Sequence, residues 1–162
     1  MNKHIKAIRR NSRLGLWGSV AAVILTVVFI YAVPYRFYPS ANTSRWMLIA
    51  GVVLSVLAVS MTLLSVRRQI PRLRQTDDLE GKLGGYSVFI REVYFNMLAV
   101  VVIVCAFTLL SARNQLLMLA MVSALVLILC FPNMYKMKAD LGLDDDMMRE
   151  LFGDRYIGGA AQ

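Results

Sequence analysis

Four stretches of this chain carry no charged residue: Leu14 to Tyr35, Trp46 to Val66, Val93 to Ala112 and Asn114 to Tyr135. Each is 20 to 22 residues long. An α-helix rises about 1.5 Å per residue, so roughly 20 residues cross a hydrocarbon core of about 30 Å. Backbone amides and carbonyls find no partners in lipid, which leaves helices and closed barrels as the only spanning structures. Barrel strands alternate apolar and polar residues. Continuous runs such as Leu98-Ala99-Val100-Val101-Val102-Ile103 do not, and the four stretches therefore predict four transmembrane helices. Composition agrees, because 58% of the 162 residues are hydrophobic and only 17% charged, with a mean hydropathy of +0.58. A soluble domain carries roughly 45–50% apolar residues, so that class is excluded.

The basic residues set the orientation. Lys and Arg number five before the first span, two between the first and second, six between the second and third, one between the third and fourth, and four after the fourth. With both termini inside, fifteen lie on the cytoplasmic side and three outside, which is the positive-inside pattern. All ten acidic residues fall on the inner side as well. The expected fold is thus an all-α polytopic membrane protein, a four-transmembrane-helix bundle of two antiparallel hairpins with both termini cytoplasmic. Its transmembrane domain is 1–135, with spans 14–35, 46–66, 93–112 and 114–135 and a cytoplasmic loop 67–92; a cytoplasmic tail occupies 136–162. The first span is too long for a signal-peptide core and is read as retained. Tyr31, Tyr35, Phe37, Tyr38 and Trp46 mark the outer boundary, and Trp17, Tyr86, Tyr94 and Tyr135 the inner one.

Local signals refine the map. Pro71 is expected to close the second span near Ile70, and Arg72 to Gly85, rich in charge and glycine, reads as a solvated linker. Tyr86, Phe89, Ile90, Val93 and Met97 recur at helical spacing, as an interfacial helix or an inner extension of the third span. In the tail, Asp144 can cap a short amphipathic helix that Gly153 ends. Its apolar face, Met147, Met148, Leu151 and Phe152, must pack on something, either its own bundle and leaflet or a partner protein.

No chemistry-bearing motif emerges. Ionisable residues inside a membrane usually mark proton relays or substrate paths, and the four spans hold none. The one histidine, His4, lies in the basic N-terminal segment, so no haem or zinc ligand set is expected, nor any other cofactor or metal. Cys105 and Cys130 sit at depths differing by roughly 10 Å, too far for a disulfide. Asp144 to Asp146 lack the spacing of a calcium loop. The nearest candidate for polar function is Arg91-Glu92 with Asn96 one turn deeper, because Glu92 and Asn96 share a helix face at the inner membrane boundary. Small residues recur at Gly15, Gly18 and Ala22, at Gly51 and Ser55, and at Ala120 and Ala124, the spacing that lets membrane helices approach closely.

By elimination the sequence points to a non-enzymatic membrane protein of the plasma (inner) membrane that works by contact, as an accessory, assembly or regulatory subunit of a larger complex. The expected partners are anionic inner-leaflet lipids and either a membrane protein or a second copy of the chain, and no nucleic acid. A channel or transporter subunit would instead gather Ser55, Ser60, Thr62 and Ser123 around a water-filled path. A lipid-modifying enzyme would bring Glu92, Asn96, Asn133 and Asp140 into one pocket.

Overall fold

The computed structural model describes residues 2–32, 39–111 and 114–153. Every element among them is an α-helix: α1 (Asn2–Ala32), α2 (Ala41–Arg74), α3 (Leu79–Ser111), α4 (Asn114–Leu129), α5 (Met134–Leu141) and α6 (Asp145–Phe152). Helices α1, α2 and α3 are long and apolar enough to cross a membrane, and α4 joined to α5 makes a fourth candidate with a bend of 75°.

The third helix is the hub. Helices α1, α2 and α4 all pack on α3, α1 most extensively, while α1 and α2 barely touch each other. His4 lies by Gly84, Gly15 by Tyr94, Gly18 by Leu98 and Thr26 by Cys105, a nearly constant sequence separation. The two helices therefore run parallel and in register along their length. On the other side, Ser44 meets Ser111, Gly51 lies near Phe107 and Leu73 near Gly85, so α2 runs the opposite way along α3. The first two spans thus lean on the third rather than forming a self-contained pair.

Close approach explains the buried faces. In lipid no hydrophobic drive separates helix from solvent, so packing must come from short interhelical distances and van der Waals contact. The buried residues of α2 are Ser44, Gly51, Ser55 and Thr62, all small or hydroxylated and spaced by seven, four and seven. On α1 the buried stripe runs through Ile8, Ser12, Gly15, Ser19 and Thr26. Large side chains on α3 and α4 fill the hollows. A Cβ placed on Gly15 would lie 2.7 Å from Tyr94 Cβ, and one on Gly51 2.5 Å from the Leu116 side chain. Leu25, Phe29, Leu57, Leu63, Val122 and Ile128 point outward instead, as lipid contact requires.

The end of the bundle that holds the N-terminus of α1, named the inner end from here on, is built differently. A continuous core joins Ile8 of α1, Leu83, Tyr86, Phe89, Ile90, Tyr94 and Met97 of α3, Leu127 of α4, Met137 and Leu141 of α5, and Leu143, Met148 and Leu151 around α6. The segment from Tyr86 to Met97 is thus the inner extension of α3. Tyr86 and Tyr94 do not mark a lipid boundary, because both are fully buried. Trp17 and Tyr135 are exposed, as belt residues should be. Tyr31 and Trp46 are likewise exposed, whereas Tyr35, Phe37 and Tyr38 lie outside the described residues.

Three expected boundaries move. Helix α2 continues through Pro71 to Arg74. The bond that Pro71 cannot donate would have gone to the carbonyl of Arg67, an exposed residue, and Gln75 N–H still donates to the Pro71 carbonyl. The expected linker shrinks to residues 75–78, because the Asp78 carboxylate accepts from Glu80 N–H at 3.3 Å and Gly81 N–H at 2.9 Å and so starts α3 early. Gly85 is not a breaker there but a point of contact, where the Leu73 side chain occupies the space of a Cβ. The fourth apolar run is divided. Pro132 disfavours helical geometry at Phe131, α4 stops at Leu129, and Asn133 caps α5 by accepting from Lys136 N–H at 2.6 Å.

Two glycines with different surroundings test this packing. Gly15→Ala should lower the thermal stability of the detergent-solubilised protein by about 1–3 kcal/mol through overpacking against Tyr94. Gly84→Ala meets nothing nearer than His4 at 3.6 Å and should leave stability unchanged or raise it by up to about 1 kcal/mol.

Candidate functional site

Between the contacts of Gly51 with Phe107 and of Leu73 with Gly85, helices α2 and α3 leave a lateral cleft of about 450 Å³. Its walls are apolar, with Leu54, Leu57, Ala58 and Met61 from α2 and Phe89, Val93, Ala99 and Val100 from α3. Four polar side chains interrupt them: Thr62 and Ser65 on α2, and Glu92 and Asn96 on α3. Helical geometry explains the grouping, since residues three or four apart lie on one face. Glu92 and Asn96 are both exposed, and Glu92 has no ion-pair partner among the described residues. The cleft is open along one side rather than enclosed. It presents a carboxylate, a carboxamide and two hydroxyls beside an apolar seat, which suits an incoming helix or lipid carrying a cation or a hydrogen-bond donor.

A second polar cluster ties the inner end together. Tyr86 O–H donates to Asp140 Oδ2 at 2.9 Å, and Tyr94 O–H to the Leu127 carbonyl at 2.9 Å. Arg74 donates from Nε to the Asp140 carbonyl at 3.1 Å and from Nη2 to the Ala139 carbonyl at 2.5 Å. These are the last carbonyls of α5, and a cation at a helix C-terminus also opposes its negative dipole end. Gly142 follows at φ 61°, its N–H donating to the Lys138 carbonyl, and the Lys138 ammonium pairs with Asp145 at the start of α6. A cavity of about 160 Å³ beside this cluster is lined in part by Tyr86, Cys130, Lys136 and Asp140.

The structure distributes the residues singled out from sequence. Glu92 and Asn96 share the cleft, whereas Arg91 is exposed and does not line it. Met148 and Leu151 are buried in the chain's own inner core, Phe152 packs against that core, and Met147 is 39% exposed. Asn133 serves as the cap of α5, and Asp140 faces a different cavity from Glu92, with Phe89 and Val93 between the two. The hydroxyls are also dispersed. Ser60 is exposed, Thr62 lines the cleft, Ser123 donates to the Leu119 carbonyl at 2.9 Å, and the buried Ser55 hydroxyl has no hydrogen-bond partner among the described residues. Ser19, Thr26 and Thr108 likewise donate to carbonyls four residues back in their own helices. Both cysteines are free, and no group of three or more His, Cys, Asp or Glu among the described residues could hold a metal ion.

Several residues of these sites carried no sequence signal. Thr62 and Ser65 join Glu92 only because α2 runs opposite to α3. Arg74 looked like one linker charge among several, and its partners lie 65 and 66 residues away.

Arg74→Ala should free the C-terminal end of α5 and speed amide hydrogen exchange across residues 134–153 roughly fivefold, since an exposed charge-assisted contact contributes about 1 kcal/mol. Exchange in the apolar stretches of α1 and α3 should not change. Comparison with protein-family models, with curated proteins and with solved structures finds no match for this chain.

Proposed function

We propose that this chain is a small integral membrane protein that acts by contact, as an accessory, assembly or regulatory subunit of a larger membrane complex. In this reading four spans cross the plasma (inner) membrane, the third and fourth as an antiparallel hairpin and the first two packed on the third rather than on each other. Both termini are cytoplasmic, and the fourth span ends at the α4–α5 bend. The distribution of basic residues, fifteen inside and three outside, supports that placement. The α2/α3 cleft is the contact surface, and the observation that carries the proposal is its chemistry. Glu92 and Asn96 stand on an outward-facing, otherwise apolar flank, where an ionisable group is costly unless a partner or the headgroup zone receives it. A membrane helix bearing Lys, Arg or a hydroxyl at matching height would satisfy them.

The tail helix has a different role in this scheme. Because Met148 and Leu151 are spent on the inner core, α6 braces the bundle, and of its apolar residues Met147 is exposed and Phe152 half-buried. A pore and a membrane enzyme draw less support, since their hydroxyls and polar residues are dispersed rather than convergent.

A photo-crosslinking residue at Met61, in the cleft, should capture one defined membrane protein in cells, whereas the same residue at Val122, on the outward face of α4, should not. Glu92→Gln should reduce recovery of that partner at least fivefold while leaving the expression of the chain unchanged. Equal capture from both positions, or a partner-free monomer in mild detergent, overturns the proposal. A fluorescent protein that matures only in the cytoplasm should be bright when fused to either terminus.

A further inference from the structure

A second cleft, of about 340 Å³, opens between the basic end of α1 and the elbow joining α4 to α5. Its apolar wall includes Ile8, Phe131, Met134 and Met137, and Arg9 and Arg13 stand at its rim. The two arginines are four residues apart, so their guanidinium groups rise from one face of α1. Neither has a carboxylate partner among the described residues. The same arginines also border a more open concavity of about 350 Å³ shared with Lys6 and Arg10. Arg9 and Arg13 thus divide an apolar slot from a surface that carries Lys6 and Arg10 beside Leu14, which is the pattern an amphiphile with an anionic head would complement.

Height in the membrane narrows the occupant. Arg13 is the last charge before the apolar stretch of α1 that starts at Leu14. Helix α5 turns by 75° from α4, so if α4 crosses the bilayer α5 lies close to its surface, and Met134 and Met137 sit near the boundary of headgroups and acyl chains. Guanidinium groups bind phosphate oxygens in paired, charge-assisted hydrogen bonds. We propose that this cleft binds one anionic phospholipid from the leaflet facing the N-terminus of α1. Arg9 and Arg13 hold its phosphate, and Ile8, Phe131, Met134 and Met137 cover its apolar part. The lipid would wedge α1 against the elbow and fix the angle of α5. This site depends on the spans crossing a membrane but not on any partner at the α2/α3 cleft.

Native mass spectrometry of the delipidated full-length chain, titrated with phosphatidylglycerol or phosphatidylcholine, tests the site. One phosphatidylglycerol should bind per chain in preference to phosphatidylcholine. R9Q/R13Q should weaken it about thirtyfold, at roughly fivefold for each charge near the surface. R67Q/R68Q, which removes two exposed arginines at the inner end of α2, should leave it intact. Met134→Trp, which fills the slot and keeps both arginines, should also weaken it, so the result does not rest on one variant. Soluble glycerol phosphate at equal concentration should fail to compete. The proposal is overturned by equal binding of the two lipids, by wild-type binding in R9Q/R13Q, or by an equal loss in R67Q/R68Q. Competition by glycerol phosphate would reassign the site to a free anion. Capture of a protein instead of lipid by a diazirine at Met134 would reassign it to a partner.

Discussion

The parallel contact of α1 with α3 is what the rest of the molecule depends on. Tyr94 and Leu98 project from α3 into hollows that exist only because residues 15 and 18 are glycine. With that seam closed, Tyr94 also reaches the Leu127 carbonyl, so one side chain fixes the spacing of α1, α3 and α4. Lipid tails are as apolar as leucine, so leucine-rich surfaces alone would not hold these helices together. Short distances do, and they require small residues on one side and a large one on the other.

The buried hydroxyls follow from the same constraint. Ser19, Thr26, Thr108 and Ser123 are compact enough for close helix approach, and each spends its donor on a carbonyl of its own helix. Such groups need no water and no substrate. A string of Ser and Thr along apolar helices therefore reads equally well as a path or as packing until the direction of each hydroxyl is known.

Beyond the apolar stretches the chain changes its means of cohesion. The inner core there is made of large side chains, Leu83, Tyr86, Leu141 and Met148 among them, where water restores a hydrophobic driving force. Arg74, Tyr86 and Asp140 then fasten α5 and through it α6 to the ends of α2 and α3. Two clefts flank this fastened region. The α2/α3 cleft carries a carboxylate and the α1/elbow cleft a pair of guanidinium groups, so two unlike occupants of opposite charge would meet the protein on different sides.

Sequence alone determined that the chain is helical and built to cross a membrane, because uncharged runs of spanning length admit no other backbone. It also paired Glu92 with Asn96 and put small residues at Gly15, Gly18 and Gly51 on packing faces, since helical period is a local property. It misjudged Pro71 and the glycines of 81–85 as breaks. Propensity marks where a helix can end, but the capping carboxylate of Asp78 and the approach of Leu73 to Gly85 decided where it does. Only the tertiary structure could choose α3 as the hub and join Thr62 to Glu92. It also turned Tyr86 and Tyr94 inward and set Arg9 and Arg13 over the elbow. Each of those results depends on which helix lies beside which, and residues far apart in the chain carry no local trace of their contact.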